Sequence, residues 1–129
     1  MGPDALRPDF FAEVESWTPA HGAVEMGDYE TLAVLLDSEA DPNEVCFGLT
    51  LLIHAIDLEG DSHLQSGHPL HAAGTALLLA YGADPRLPAA DGRTPLQIAE
   101  CYDHEPAKRL LQRFLALAPE GTPGSARGK

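Results

Sequence analysis

The chain says nearly the same thing three times, and that repetition limits its fold more than any other property. Thr18-Pro19-Ala20-His21-Gly22-Ala23 is followed by Leu35-Leu36 and then Ala40-Asp41-Pro42-Asn43. Thr50-Leu51-Leu52-Ile53-His54-Ala55 is followed by Leu77-Leu78-Leu79 and then Gly82-Ala83-Asp84-Pro85. Thr94-Pro95-Leu96-Gln97-Ile98-Ala99 is followed by Leu110-Leu111. The threonines stand 32 and then 44 residues apart. A period of about 33 marks stacked supersecondary units, each unable to bury its apolar face alone. The middle unit is therefore longer than its neighbours by about eleven residues.

Each unit reads as a pair of helices. Threonine can cap a helix and proline pre-sets its first φ, so helices are predicted from Pro19 to about Met26 and from Pro95 to about Tyr102. In the middle unit the first helix is predicted from Leu51 to about Leu58. Leu32, Leu35 and Leu36 form an apolar stripe at i, i+3, i+4 on the second helix of unit one. Glu59-Gly60-Asp61-Ser62-His63-Leu64-Gln65-Ser66-Gly67 is polar and reads as an inserted loop. The second helix of unit two is predicted to restart near His68-Pro69 and to end at Tyr81, with Gly82 free to take the left-handed turn. The third second helix starts at Glu105-Pro106 and carries Leu110, Leu111, Phe114 and Leu115. Its Lys108, Arg109 and Arg113 suit a solvated outer face. Pro8 to Trp17 reads as a short capping helix, with Phe10, Phe11, Val14 and Trp17 on one side. Residues 119–129 cannot pack a core and are expected to be disordered. The expected layout is one domain over 1–118, with units at 18–45, 46–90 and 91–117 and an insertion at 59–68.

Charge is divided unevenly. Residues 1–85 hold fifteen acids and one base, Arg7, whereas residues 86–129 hold seven bases and five acids. An acidic front repels phosphate, so nucleic acid and anionic membrane are not expected partners, and a basic peptide or protein patch is. Cys46 and Cys101 lack metal-ligand or redox spacing, which fits two reduced thiols in a cytoplasmic setting. No apolar run approaches the roughly 20 residues of a membrane span.

The T-P-x-H-x-A and G-A-D-x segments resemble the ankyrin repeat, whose mark is T-P-L-H-x-A at a period of about 33 residues. Residues 18–23 match five of its six places, residues 94–99 match with Gln97 for the histidine, and residues 50–55 lack the proline and shift the histidine by one. Glu39 stands in the glycine's place before Ala40-Asp41-Pro42-Asn43. The likeness covers about 18–117, and the chain resembles a small bacterial stand-alone ankyrin protein with an enlarged second repeat. The resemblance implies an all-α solenoid of about three helix-pair repeats plus an N-terminal cap. It implies that His21 bonds the Thr18 hydroxyl. It also implies that partners touch the finger tips and first-helix ends, here Trp17, Glu25, Met26, Val45, Cys46, Phe47, Leu49, Asp57, Leu58, Ala90, Arg93 and Tyr102.

The expected function is non-enzymatic binding of a protein or peptide in an acidic groove, by a monomer or weak dimer with no cofactor. Phe47, Met26, Trp17 and Tyr102 would anchor the partner, and Glu25, Asp57 and Glu59 would steer it. The competing reading uses the densest chemistry in the chain. His54, Asp57, His63, His68 and His71 could ligate a divalent metal, and His63, Asp57, Asp61 and His68 could serve general acid–base catalysis. An inhibitor or immunity protein that plugs a basic site is a third reading. Neither a phosphate loop nor a nucleophile elbow occurs.

Overall fold

The computed structural model describes residues 17–117. The expected capping helix, Trp17 apart, and the expected tail lie outside the described residues. Among the described residues six helices and one short hairpin follow in order: α1 (Pro19–Met26), α2 (Tyr29–Asp37), β1 (Val45–Cys46), β2 (Leu49–Thr50), α3 (Leu51–Ser66), α4 (Ala73–Ala80), α5 (Pro95–Cys101) and α6 (Glu105–Leu117). They form three antiparallel pairs, α1/α2, α3/α4 and α5/α6. First helices pack on first helices and second on second, giving two layers. Among the described residues, no helix is long and apolar enough to cross a membrane.

The three threonines start the first-layer helices for one reason. Each sits in extended backbone and its hydroxyl accepts the backbone N–H three residues on, from His21, Ile53 and Gln97. Such a cap satisfies one of the four donors that a helix start leaves without partners. At Thr94 the arrangement is reciprocal, because Gln97 Oε1 accepts the Thr94 N–H at 2.9 Å. Gln97 therefore does locally what His21 does by another route. His21 Nδ1 lies 2.7 Å from the Thr18 hydroxyl and its Nε2 lies 2.9 Å from the Leu49 carbonyl, so it donates from Nε2 and ties the first unit to the hairpin of the second.

The second-layer helices α2 and α4 end in left-handed turns. Gly82 takes φ 99° after α4, and Glu39 takes φ 79° after α2 in the equivalent place. A glycine enters that region without Cβ strain, and Glu39 does not. The hairpin turns through Phe47 and Gly48, with φ 54° and 76°. Positive φ at both central residues matches the right-handed twist of two short strands. Between units, Asn43 Oδ1 accepts from Asp84 N and Asp37 from the Tyr81 hydroxyl, and within unit two Gly48 O accepts from Ala90 N.

The core runs between the layers. Leu32, Leu51, Leu52, Ile53, Ile56, Leu78, Ile98 and Leu111 are all but fully buried. The middle unit supplies most of it, as expected of the repeat with a neighbour on each side.

The inserted residues are not a loop. α3 continues through them to Ser66, sixteen residues against eight in α1. A mid-helix glycine such as Gly60 costs about 1 kcal/mol relative to alanine. Here it serves as a seat, because a Cβ at Gly60 would overlap the ring of Tyr102. The Tyr102 hydroxyl then donates to Asp57 Oδ1 at 2.6 Å, one turn earlier on α3. The helix ends at Gly67, φ 72°. The start of α4 differs in turn: it begins at Ala73 rather than near His68-Pro69, and Ala72 offers no capping side chain.

Glu59 supplies that cap from across the unit. Its Oε2 accepts from the backbone N–H of Gly74 and Thr75 at 3.0 and 3.1 Å, and its Oε1 accepts from the Thr75 hydroxyl at 2.8 Å. His104 Nε2, fully buried, donates to the same Oε1 at 2.8 Å. The other ring nitrogen of His104 faces the Ala107 N–H at 3.4 Å, at the start of α6. One carboxylate thus serves α4 directly and joins unit two to unit three. Gly74 has to be glycine-sized here, since a Cβ would press on Glu59 Oε2 and Tyr29 at 3.2 Å.

Glu59→Ala should cost about 3 kcal/mol, because it strands buried donors of α4 and of His104. A urea unfolding series checks this. Gly60→Ala should lose about 1–3 kcal/mol in the same assay despite its better helix propensity, because the Tyr102 ring must shift.

Candidate functional site

The aromatic and titratable groups gather where α1 and α3 meet the hairpin. Trp17, the residue before the α1 cap, lies over two imidazoles. Its ring centroid is 5.7 Å from His21, nearly parallel, and 4.7 Å from His54. Phe47 meets it edge-on at 5.1 Å. The two imidazole centroids are 5.8 Å apart.

His54 reaches this place because it lies four residues after Thr50 rather than three. The capping position is filled by Ile53, which is buried, and His54 turns to the side of α1. Its side chain is only 6% exposed, with Nε2 3.0 Å from Glu25 Oε1. That is ion-pair range, but neither ring nitrogen has an aligned hydrogen-bond partner. Burial holds the His54 pKa below its ordinary value of 6.5; Glu25 opposes the shift and His21 adds to it. Glu44 also turns inward. Its Oε2 lies 3.5 Å from His21 Nδ1 and is buried without a hydrogen bond.

Around this cluster the surface is apolar and exposed. Phe47 is 62% exposed, Val45 59% and Met26 80%. Cys46 and Leu49 are half-buried in the hairpin. Asp57 and Tyr102 are half-buried and bonded to each other, and burial and Asp57 together raise the Tyr102 pKa. Ala90 is exposed beside the hairpin, and Arg93 is exposed and paired with Asp91 at 2.9 Å. Leu58 faces away from the Trp17 cluster, into a cleft of about 210 Å³ with Glu25, Met26, Tyr29, Glu59 and His71.

The histidine–acid set is dispersed. His54 is under Trp17, and Asp57 is held by Tyr102. Asp61 accepts from Gln65 one turn on, within α3. His63 Nδ1 points at the His68 carbonyl, and His68 Nδ1 at the Ser66 hydroxyl. His71 Nδ1 accepts the Ala73 N–H and its ring meets Tyr29 edge-on. Among the described residues no three His, Cys, Asp or Glu side chains are placed to hold a metal ion. The physical reason is the helical continuation of α3 to Ser66, which sets His63 more than two turns from His54 and leaves His68 and His71 on the segment beyond the helix. Glu59, expected as a steering acid, is only 8% exposed and bonded to four donors. Glu44 and His104 are the residues that sequence reasoning passed over. His104, directly before Glu105-Pro106, stands at a helix-start position, and that was the available signal.

Helix pairs whose first members are capped by threonine, stacked in two layers with a hairpin finger at one edge, define a repeat protein of the solenoid class. A sequence profile of the ankyrin repeat matches residues 15–46. The ARF GTPase-activating protein GIT1 of Homo sapiens and of Mus musculus is 34% identical over 101 residues, covering 71% of this chain and 11% of the relative. The chain thus spans about a tenth of the length of these relatives. A crystal structure of an ankyrin repeat domain from Acinetobacter baumannii AYE superimposes with a TM-score of 0.63 at 35% identity, covering 77% of this chain and 48% of that one. The chain belongs to the ankyrin-repeat family. Ankyrin repeats are in general protein-interaction modules.

His54 gives this site a measurable pH signature. Its folded pKa lies below the unfolded value, so the unfolded chain takes up the proton first as pH falls. Its contribution to stability is complete above the ordinary value and shrinks below it. Urea midpoints at about pH 7.5 and about pH 5.5 should differ less in His54→Gln than in the parent chain. An equal difference in both would mean that His54 stays solvated.

Proposed function

We propose that this chain is a non-enzymatic module that binds a protein or peptide carrying a basic patch. The hairpin finger and the first-layer helix ends form the contact face. Phe47 supports this reading most directly. It is a large apolar side chain, mostly exposed, on a hairpin tip beside Val45 and Trp17. An exposed apolar cluster rimmed by acids has the composition of a recognition patch, with an apolar centre and a charged edge. Glu25, Glu44 and Asp57 form that edge here, in place of the buried Glu59. The stretch from residue 17 to 85 holds no Lys or Arg, so its acidity is not offset locally. Such a field speeds association with a basic partner and is screened by salt.

Phe47 and Val45 would bury their apolar area against the partner, while Met26 and Tyr102 extend the face along the layer. Two thiols rather than a disulfide suit a cytoplasmic setting.

An arrayed panel of basic, neutral and acidic peptides tests the reading, with the single Trp17 as a fluorescence reporter. Basic peptides should bind at about 50 mM salt and be released by about 0.5 M. Phe47→Ala should weaken them about tenfold. Equal binding of acidic peptides, or affinity untouched by both salt and Phe47→Ala, would overturn it.

A further inference from the structure

Unit two is longer than unit one, and the mismatch leaves a step between them. α1 is eight residues long and ends at Met26, and α2 follows from Tyr29. The eighth residue of α3 is Leu58, yet that helix continues to Ser66 and α4 waits until Ala73. Tyr102 of unit three rests on one side of the extension, over Gly60. On the unit-one side a cleft of about 210 Å³ stays open, between the turn from α1 to α2 and the segment that carries His71. Ser62, in its wall, stands roughly 16 Å along α3 from the hairpin.

The lining of the cleft selects a ligand. Val24, Ala55 and Leu58 give it an apolar side, and Glu25, Tyr29 and Ser62 a polar one. Neither the Tyr29 nor the Ser62 hydroxyl makes a hydrogen bond among the described residues. Glu59 also lines the cleft, but its oxygens are taken by four donors, so it lends charge rather than an acceptor. That charge reaches Tyr29: burial raises the Tyr29 pKa and Glu59 adds to the shift, which keeps the phenol protonated. Glu25 lends both charge and an acceptor. Its Oε1 faces His54 at 3.0 Å, and the side chain is 43% exposed. No Lys or Arg between residues 17 and 85 can neutralise these carboxylates from within that stretch.

An anion would meet both charges, and an apolar ligand would cover polar groups without pairing them. A cation remains. A guanidinium binds best to both oxygens of one carboxylate, and one oxygen of Glu25 already faces His54. An ammonium is a compact head that takes single acceptors, and its flexible carbon stem suits an apolar wall. The cleft is smaller than the roughly 300 Å³ at which pockets for drug-sized ligands begin, so it suits one side chain.

We infer that this cleft receives a lysine side chain of a partner protein, with its stem along Val24, Ala55 and Leu58 and its ammonium among the acceptors of Glu25, Tyr29 and Ser62. It is a second contact, toward the end of α3 away from the finger, and does not depend on the contact face proposed above.

Nitrogen-resolved NMR of the labelled protein tests this with an alternating lysine–glycine peptide and its arginine and acetyl-lysine counterparts. The Gly27, Ser62 and Gly74 backbone signals should shift saturably with the lysine peptide. The arginine peptide should bind there several-fold more weakly, and the acetyl-lysine peptide should leave the three signals in place. Glu25→Gln, which keeps the side chain's shape, should weaken the lysine peptide about tenfold. Ser62→Phe, at an exposed helix position, should fill the cleft and abolish the Gly27 and Gly74 shifts. Glu105→Gln, exposed on α6, should change nothing. If the lysine peptide shifts the Val45 and Phe47 signals but none of the three, the cleft is refuted and the contact face stands. If free butane-1,4-diamine shifts the three and the peptide does not, the protein partner is refuted. An acetyl-lysine response equal to that of lysine would refute the cation, arginine binding as tight as lysine would refute the ammonium, and shifts that survive Ser62→Phe would refute the cleft.

Discussion

Glu59 is the group on which the rest of this stack depends. A solenoid is held by contacts between neighbouring units, and most of those contacts are apolar and directionless. The bond set of Glu59 is neither. Its carboxylate sits between the layers, caps α4 from α3, and takes a fourth hydrogen bond from His104 of the next unit. A buried carboxylate is costly to desolvate, and only full pairing offsets that cost. The geometry of unit two is arranged around this requirement: α4 starts late, Gly74 leaves room, and His104 directs its second nitrogen to the start of α6.

The extra length of unit two follows a similar logic. α3 gains two turns, and the gain is tied down by Tyr102 of unit three, which rests on Gly60 and bonds Asp57. Unit three is therefore fastened to α3 at two places, one buried and one at the half-exposed face. The same continuation separates His54 from His63 and His68, and removes the ligand cluster that a loop would have assembled. In this chain the added residues lengthen a helix that the neighbouring unit holds in place.

What could be read from the sequence was local. Thr18, Thr50 and Thr94 act on residues three positions away, so their caps are visible in a short window. Gly82 and its stand-in Glu39 end helices by backbone conformation alone. What could not be read was carried by pairs far apart in the chain. Glu59 with His104 and Asp57 with Tyr102 are each 45 residues apart. Periodicity cannot choose between a polar loop and a helix when the deciding contact is a tyrosine ring on a glycine. At the candidate site the exposed Val45 and Phe47 were legible from the finger position. The inward turn of Glu44 and the unpaired state of His54 were not, since both depend on how Trp17 settles over α1 and α3.

The hairpin tip carries one more implication. Phe47 sits at φ 54°, a conformation that β-carbon sterics discourage, next to a glycine that adopts it freely. A folding requirement alone would favour Asn or Gly there, and drift at that codon should run toward them wherever the finger is idle. Phe47 thus holds an aromatic ring mostly in water on a backbone that its own turn would more readily give to Asn or Gly. On the binding reading proposed above, loss of that ring among descendants of this chain would signal a lost partner before any change in the helices.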